Sequence, residues 1–248
     1  MKILVCICQV PDTVTKIILK DNHTAIEEQG VTFIINPYDE WYALVRALEL
    51  KESGVAEAVH IIHVGKANAE PVIRKALAIG GDEAIRIDAE STDPYLIANY
   101  IAEYVESSGG YGLILCGKES IDYHNGTVGP MLAELLDMNY IGFATNISVE
   151  GGSATVKSEI DGGEQTDNAS LPLVISCQKG VAEARIPNMR GIMTARAKPL
   201  KVVTPATISP LISVVNYELP AGKAGVKLIA ADNMDELVNL LHTEAKVI

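Results

Sequence analysis

The residues best suited to bind a ligand lie in one loop between a strand-like apolar run and a helical segment. The run Leu113–Cys116 leads into a loop that begins at Gly117, and a helical pattern extends through Met131 to Leu136. Gly126 and Gly129 permit close approach of the backbone to a ligand, and Thr127 offers a hydroxyl where the helix begins. Backbone N–H groups at a helix start can hold phosphate whatever the net charge of the chain. A nucleotide-phosphate site is therefore one interpretation, and a plain structural loop is the other.

Two further loops follow strand-like runs and are candidates for the same site. In open α/β sheets, ligands bind outside the carboxyl ends of the strands. The segment Gln9–Thr13 follows the first run, and Asn36–Asp39 stands directly before a helical pattern. Asn-Pro is a frequent turn starter, so the second segment can equally serve as the capping turn of that helix. Both interpretations stay open at this point.

The motifs of common enzyme classes are absent from the sequence. It contains no Gly-x-Gly-x-x-Gly fingerprint, no Gly-Lys-Ser/Thr ending of a P-loop, no Gly-x-Ser-x-Gly elbow and no His-Glu-x-x-His. Asp122 and His124 could form an acid/base pair, although a polar loop in contact with solvent or a ribose is the favoured interpretation. Hydride transfer of the Rossmann type and ATP hydrolysis thus lack their usual signatures.

The cysteines are read as buried, reduced thiols. Cys6, Cys8, Cys116 and Cys177 lie in apolar runs without a Cys-x-x-Cys pair. Cys6 and Cys8 would share one face of a strand, which a metal or a redox pair could also use. Packing is the favoured interpretation, and no metal site is predicted.

The charge balance restricts the possible partners. Among 248 residues, 32 acidic and 20 basic side chains give a formal net charge of −12. Such a surface repels phosphate backbones and anionic headgroups, which argues against a general nucleic-acid or membrane-surface binder. The chain opens into a strand-like run without a visible secretion signal, and its apolar runs are too short to span a bilayer. We therefore expect a cytoplasmic protein without membrane insertion.

Alternating strand-like and helical patterns predict a doubly wound α/β domain with a mostly parallel sheet. Runs such as Ile3–Ile7 and Ala58–Val64 read as apolar on both faces, which is typical of parallel strands covered by helices. After Asn146, Gly-Gly and Asp-Gly turns predict a small antiparallel extension. We assign 1–204 to this domain, including the extension. We assign 205–248 to a C-terminal arm that ends in one helix and docks on another chain, because its apolar residues have few partners within the arm.

Five segments together resemble the β subunit of electron transfer flavoprotein, in the order found in that family. The resemblance covers nearly the whole chain. The segments are Asn36–Asp39, Lys75–Asp82, Leu115–Lys118 with Ile121–Asp122, Ile160–Gly163 and Ile192–Arg196. The fold that the resemblance implies is of the adenine-nucleotide α-hydrolase-like type, with the doubly wound sheet described above.

The resemblance implies an obligate heterodimer whose α subunit carries the redox-active FAD and receives the C-terminal arm of this chain. The β subunit holds a second nucleotide, which is AMP with a structural role in most members. In the electron-bifurcating branch, which oxidises NADH, it is a second FAD. The family's nucleotide positions correspond to Cys6, Asn36, Pro37, Tyr38, Asp39, Val64, Gly117, Lys118, Glu119, Ser120, Ile121, Asp122, Tyr123, His124, Asn125, Gly126, Thr127 and Val128.

The loop Asp122–Pro130 differs from both branches of the family. Bifurcating members usually read Asp-Gly-Asp-Thr-Ala-Gln-Val-Gly-Pro, and this chain shares the Val-Gly-Pro ending but not the Gly-Asp-Thr-Ala-Gln part. Tyr123 replaces a glycine and adds bulk where a larger ligand would have to pass. We therefore favour AMP in this chain, with FAD as the alternative.

The stretch Ala184–Gly191 corresponds to the loop by which the family recognises partner dehydrogenases. Met189 stands where the family usually has a leucine anchor, and methionine is apolar and flexible enough to fill a partner's pocket. The residues assigned to recognition are Arg185, Ile186, Pro187, Met189 and Arg190. A surface loop with incidental apolar exposure is the alternative interpretation.

Three functions follow from these interpretations. The favoured one is an electron-carrier subunit and not an enzyme: electrons pass from acyl-CoA or other flavin dehydrogenases to the α-subunit FAD, and on to a quinone oxidoreductase or another acceptor. The second is a bifurcating subunit with its own FAD. The third is an adenine-nucleotide-using enzyme of the same fold, which would need metal-dependent turnover of ATP.

Overall fold

Within residues 1–222 and 225–248, which the computed structural model describes, nine strands form one large sheet. The strands of the chain are β1 (Lys2–Cys6), β2 (Gln9–Pro11), β3 (Leu19–Lys20), β4 (Ala25–Ile26), β5 (Phe33–Ile35), β6 (Ala58–Val64), β7 (Glu83–Ile87), β8 (Leu113–Gly117), β9 (Asn139–Glu150), β10 (Ser153–Ile160), β11 (Gly163–Ser170), β12 (Leu173–Cys177) and β13 (Leu200–Val203). The large sheet has the order β11-β10-β9-β12-β8-β1-β6-β7-β13. β2 pairs with β5 and β3 with β4 in small antiparallel sheets.

Parallel pairing dominates the large sheet. β1 runs parallel to β6 and β8, β12 to β8 and β9, and β7 to β6 and β13. β10 pairs antiparallel with β9 and β11. The helices are α1 (Glu40–Glu52), α2 (Glu70–Ile79), α3 (Pro94–Ser107), α4 (Val128–Leu135), α5 (Met189–Ala195) and α6 (Met234–Leu240). The predicted fold class, a doubly wound and mostly parallel α/β sheet with a small antiparallel extension, is confirmed.

The central strands are buried on both faces, as their continuous apolar runs indicated. Alternate side chains of a strand point to opposite faces. Ile3 and Val5 of β1 lie in one apolar core with residues of α1 and α2, and Leu4 and Cys6 lie in a second core with residues of α3 and α4. Two helical layers therefore cover the sheet, which is the arrangement that parallel strands require.

Glycines make the turns of the antiparallel extension. Gly151 and Gly152 join β9 to β10 with φ angles of +58° and +87°, and Gly162 joins β10 to β11 with a φ of +85°. Side chains are unfavourable at such angles, so glycine is the residue that these turns demand. The hairpins predicted after Asn146 are confirmed.

Beyond β13 the chain has little regular structure. Residues 204–222 and 225–233 contain no helix or strand, and α6 is followed by a π-helical turn at Leu241–Ala245. Leu211, Val215 and Leu228 are 69%, 79% and 89% exposed. Residues 223 and 224 of the predicted arm lie outside the described residues. The boundary at residue 204 and the docking of the arm on another chain stay predictions. Across the described part of the chain, no helix is long and apolar enough to cross a membrane.

The order in which the chain adds strands to the sheet changes direction at β1. From β1 the chain adds β6 and β7 on one side and then crosses to β8 on the other side of β1. The loops that follow β1 and β8 therefore diverge and leave a crevice at the carboxyl ends of these strands. Cys6 and Gly117, the last residues of the two strands, mark the place where a ligand is expected.

Helix α5 lies against α2 through a close backbone contact. A Cβ atom at Gly191 would overlap the carbonyl oxygen of Ala78 in α2. Arg74 of α2 donates hydrogen bonds to the carbonyl oxygens of Ala195 and Lys198 at 3.0 and 2.7 Å. α2 thus fixes the position of α5 and of the segment that follows it.

Gly191→Ala tests this contact. Alanine favours a helix more than glycine does, but its methyl group must displace backbone, so we expect the free energy of unfolding to fall by about 1–3 kcal/mol. Urea denaturation of the purified protein measures the change. Gly163→Ala is the control, because no atom lies within 4 Å of a Cβ at Gly163. Equal stability of the two variants would contradict the close contact.

Candidate functional site

A cavity of about 190 Å³ lies at the place where the chain reverses around β1. Its walls are the carboxyl ends of β1, β6 and β8, the start of α3 and the loop between β8 and α4. The predicted nucleotide residues that line it are Cys6, Val64, Gly117, Lys118, Glu119, Ser120, Asp122, Tyr123, Asn125, Gly126, Thr127 and Val128. The fold thus brings together segments that are far apart in the sequence.

The residue types in the loop between β8 and α4 suit the backbone conformation that places this loop in the cavity wall. Lys118 donates its N–H to the carbonyl oxygen of Cys177 at 2.8 Å and so continues the pairing of β8 with β12. Gly126 has a φ of +62°, where a side chain is unfavourable. Helix α4 begins at Val128, and Pro130 lies in its first turn. A proline there loses no hydrogen bond within the helix.

The hydroxyl of Thr127 is the feature that points most directly to a ligand. Thr127 precedes α4, and its Oγ1 atom is buried without a hydrogen-bond partner among the described residues. A buried hydroxyl left unpaired costs about 1–3 kcal/mol. The first N–H groups of a helix also lack partners within the helix and carry partial positive charge. This set of donors fits a phosphate or ribose oxygen of a nucleotide.

Asn36 and Asp39 do not line the cavity but hold its loop from behind. The side-chain amide of Asn36 donates to the carbonyl oxygen of Glu119 at 2.8 Å and accepts from the N–H of Ile121 at 3.3 Å. The N–H of Glu119 donates to the Asp39 carboxylate at 3.2 Å. Asp39 occupies the capping position of α1, yet its side chain makes no capping bond there. The segment before α1 therefore fixes the loop that forms the cavity wall.

The remaining predicted nucleotide residues also lie outside the cavity lining. Tyr38 is exposed beside Pro37, and His124 is exposed with a φ of +50°. Ile121 contributes a backbone N–H to the contact with Asn36. Contact of Asn36, Pro37, Tyr38, Asp39, Ile121 and His124 with a nucleotide stays a prediction.

Glu40 is a cavity residue that sequence reasoning missed. Its carboxylate accepts the N–H of Cys8 at 2.5 Å, and its side chain approaches Gly117 so closely that a Cβ there would lie 2.7 Å from Glu40 Cγ. Burial, which disfavours the charged form, raises the pKa of Glu40 to about 8. A glutamate in the first turn of a helix ordinarily lies at the surface and complements the helix dipole, so the sequence alone did not predict that Glu40 is buried.

Other lining residues were also missed. Ser91 and Thr92 lie between β7 and α3, Pro94 is the first residue of α3, and all three line the cavity. They follow a parallel strand at its carboxyl end, which is the signal that could have found them. His63 lines the cavity too, and its Nδ1 atom lies 2.9 Å from the carbonyl oxygen of Ile7. Burial lowers the pKa of His63, so its imidazole is neutral at physiological pH.

The cysteines gather near the carboxyl ends of β1, β8 and β12. All four are free thiols, and Cys6, Cys116 and Cys177 are buried. A hydrogen bond with Cys116 and burial raise the pKa of Cys6, and burial raises the pKa values of Cys8 and Cys177. Such thiols are poor nucleophiles. Among residues 1–222 and 225–248, no three His, Cys, Asp or Glu side chains are arranged to hold a metal ion.

The predicted recognition loop is held firmly and presents apolar side chains. Arg185 forms a two-point ion pair with Glu52 at 2.6 and 3.1 Å, and its carbonyl oxygen accepts from the indole N–H of Trp41 at 3.1 Å. Ile186 and Met189 are 83% and 74% exposed. Pro187 lies between them and is partly buried, and Arg190 is exposed. The backbone is therefore fixed while the side chains of Ile186 and Met189 project outward.

Fold and cavity together define an α/β protein with a ligand-sized cavity at the carboxyl edge of a parallel sheet. A family model described as electron transfer flavoprotein domain matches residues 24–208. Among proteins named electron transfer flavoprotein subunit beta, that of Syntrophomonas wolfei is 37% identical over 92% of this chain and 90% of its own length. That of Bacillus subtilis is 34% identical over the full length of both chains. A relative named as the mitochondrial β subunit of Arabidopsis thaliana is 33% identical, again over both full lengths.

The chain belongs to the electron transfer flavoprotein β-subunit family. The resemblance that the five sequence segments carried is thereby confirmed.

Glu40→Gln tests the buried carboxyl. The folded-state pKa of about 8 lies above the ordinary value of 4.5, so the folded protein keeps a proton that the unfolded chain releases. This contribution to stability is complete below the unfolded pKa and is lost as the pH rises through the folded one. We expect the free energy of unfolding to fall from about pH 5 to about pH 8.5 more steeply in the wild type than in the variant.

Urea denaturation across this pH range measures the effect, with Glu106→Gln at an exposed position of α3 as the control. Coincident pH profiles of wild type and Glu40→Gln would show that the carboxyl is ionised in the folded protein.

Proposed function

We propose that this chain is the β subunit of a heterodimeric electron transfer flavoprotein and that it binds AMP as a structural nucleotide. The observation that carries the proposal is the cavity beside β1 with the unpartnered Thr127 hydroxyl at the start of α4. Phosphate oxygens accept hydrogen bonds from helix-start N–H groups and from hydroxyls. The phosphate would therefore lie at the start of α4, and Cys6 and Val64 would contact the rest of the nucleotide through their backbone.

Tyr123 supports AMP over a larger dinucleotide. Its side chain lines the cavity, and its hydroxyl lies 2.9 Å from the hydroxyl of Tyr217 in the arm. A glycine at this position, as in bifurcating members, would leave this wall open. FAD in the cavity, with the bifurcating function, is the second candidate, and it is favoured by the Val128–Pro130 ending that the chain shares with that branch.

The proposed role is to scaffold and dock and not to catalyse a reaction alone. FAD in the α subunit would supply the redox chemistry. The residues of this chain would hold the nucleotide loop through Asn36 and Asp39 and support the α subunit that binds the flavin. This role needs no general acid or base, which agrees with a sequence that lacks catalytic motifs. We therefore favour the carrier over an adenine-nucleotide-using enzyme of the same fold.

The C-terminal arm is the proposed contact with the α subunit. The arm has exposed apolar side chains at several positions, Leu211, Val215, Val226 and Leu228, and such a set is unusual on a chain surrounded by water. Their burial against the α subunit would supply the driving force of heterodimer formation. The cytoplasmic location stays a prediction, and the name of the Arabidopsis thaliana relative places that protein in mitochondria.

The proposed surface for acyl-CoA or other flavin dehydrogenases is the recognition loop with the start of α5. Ile186, Met189, Ile192 and Met193 are exposed apolar side chains in this short stretch, and Arg190 is exposed among them. An apolar anchor within a polar surround is the usual composition of an interface hot spot. The proposed electron acceptor is a quinone oxidoreductase or another acceptor that follows the dehydrogenase in the transfer.

Counting the nucleotides released on denaturation of the purified complex with its α subunit tests the proposal. We expect one FAD and one AMP for each heterodimer. Two FAD and no AMP would make this chain a bifurcating subunit. A complex with no nucleotide beyond the α-subunit FAD would overturn the assignment of the cavity.

Thr127→Val tests the part that the hydroxyl plays, because valine keeps the shape of the side chain. Loss of a hydrogen bond to a charged group corresponds to about 10- to 100-fold weaker AMP binding, while the stability of the nucleotide-free protein is unchanged or higher. Equilibrium dialysis with AMP and urea denaturation measure the two effects. Thr166→Val in the exposed strand β11 is the control. Undiminished AMP affinity would remove Thr127 from the site.

Met189→Glu tests the docking surface. A charge at the anchor should reduce electron transfer from a partner dehydrogenase about 10-fold or more through a higher KM. Met189→Leu keeps an apolar anchor and should retain the wild-type rate, and chemical reduction of the flavin by dithionite should be the same in all three proteins. Wild-type transfer by Met189→Glu would mean that the dehydrogenase docks elsewhere.

A further inference from the structure

The C-terminal arm is fastened to one wall of the cavity by Asp93. One carboxylate oxygen of Asp93 accepts the backbone N–H groups of Leu211 and Ile212 at 2.6 and 3.2 Å. The other oxygen caps α3 by accepting the N–H of Tyr95 at 2.9 Å. The neighbours of Asp93 on both sides, Thr92 and Pro94, line the cavity. The arm is therefore attached to the α3 wall at Leu211 and Ile212.

The same stretch of the arm is fastened again at the opposite wall. The hydroxyl of Tyr217 lies 2.9 Å from the hydroxyl of Tyr123, which lines the cavity. The backbone N–H of Tyr217 donates to the carbonyl oxygen of His23 at 2.7 Å. Residues 211–217, called the strap below, thus join the α3 wall to the β8–α4 loop.

The strap contacts the body of the protein through hydrogen bonds and leaves its apolar side chains exposed. Its contacts with the body of the protein are hydrogen bonds to a carboxylate, a carbonyl and a hydroxyl. Its four apolar side chains, Leu211, Ile212, Val214 and Val215, are 69%, 55%, 42% and 79% exposed. An extended chain of this length can cover roughly 20 Å, so the strap can reach from the α3 wall to the β8–α4 loop.

We infer that the strap retains the nucleotide in the cavity, with Tyr217 as a positioning residue that holds Tyr123 in the cavity wall. This inference rests on the proposed nucleotide site. While the two hydroxyls are joined and Asp93 holds the other end, the strap opposes outward movement of the β8–α4 loop at Tyr123. Release of the nucleotide then requires the strap to detach at one of its two ends.

The groups that fasten the strap keep the required protonation states near neutral pH. Burial raises the pKa of Tyr123, so its hydroxyl stays a hydrogen-bond donor. Burial alone would raise the pKa of Asp93, but the N–H groups of Leu211, Ile212 and Tyr95 lower it below its ordinary value. Asp93 therefore stays ionised, and hydrogen bonds to an ionised acceptor are stronger than those to a neutral one.

Exchange of bound nucleotide in the purified heterodimer tests the inference. The complex is loaded with radiolabelled AMP, and loss of label is followed in excess unlabelled AMP. Tyr217→Phe and Tyr123→Phe each remove one hydroxyl of the pair, and each should speed the loss of label about 2- to 10-fold, the value of one hydrogen bond. The double variant should be no faster than the single ones, because all of them lose the same contact.

Tyr42→Phe in α1 is the matched control and should exchange at the wild-type rate, because Tyr42 packs on the core at the opposite face of the sheet. The α-subunit FAD content and the thermal midpoint of each variant show that folding is intact. Bound AMP with an unchanged release rate in both single variants would overturn the strap alone. Acceleration that adds independently in the double variant would overturn the hydroxyl contact. A wild-type complex that binds no AMP would overturn the inference together with the proposed function.

Discussion

The parallel pairing of β1 with β6 on one side and β8 on the other is the constraint on which the rest of the structure depends. The register aligns Val5 with Ile61 of β6 and with Leu115 of β8, so the three strands end at the same edge of the sheet. Because the chain leaves β1 and β8 in different directions, the loops cannot fill the space between them. The cavity is thus a consequence of topology before any single side chain contributes to it.

A layer of buried polar groups behind the cavity wall gives the loop one conformation. The side-chain amide of Asn36 donates to and accepts from the backbone of the β8–α4 loop, and Asp39 accepts a backbone N–H of the same loop. Glu40, which lines the cavity, instead accepts the N–H of Cys8 in the loop that follows β1. Unpaired buried polar groups are costly, so these contacts oppose rearrangement of the loop. Among the described residues, the hydroxyl of Thr127 is the buried side-chain polar atom left without a hydrogen-bond partner, and in the proposed function a nucleotide would supply that partner.

Local patterns in the sequence predict the fold and much of the cavity lining, but they do not predict the contacts that hold the β8–α4 loop from behind. Apolar runs at the period of strands and helices predicted the parallel sheet, and the rule for strand ends found the loop from Gly117 to Val128. Asn36 contacts Glu119, which is 83 positions further along the chain, and no local pattern contains such a pairing. In the sequence, Glu40 is an ordinary glutamate in the first turn of a helix. Only the structure shows that α1 begins at a buried position. Ser91 and Thr92 obey the rule for strand ends and were within reach of sequence reasoning.

The proposed surface for the dehydrogenase and the proposed surface for the α subunit lie on different elements, the recognition loop and the C-terminal arm. The recognition loop is fixed by Arg185, Trp41 and the contact between α2 and α5, so an encounter with a dehydrogenase need not disturb the cavity. The strap is different, because one segment carries both hydrogen bonds to the body of the protein and exposed apolar side chains. If the α subunit covers Leu211 and Val215, its binding stabilises the strap in the position that retains the nucleotide. Because coupling between two binding events is reciprocal, a bound nucleotide must then strengthen α-subunit binding by the same free energy. The nucleotide would thus support assembly of the carrier without taking part in electron transfer.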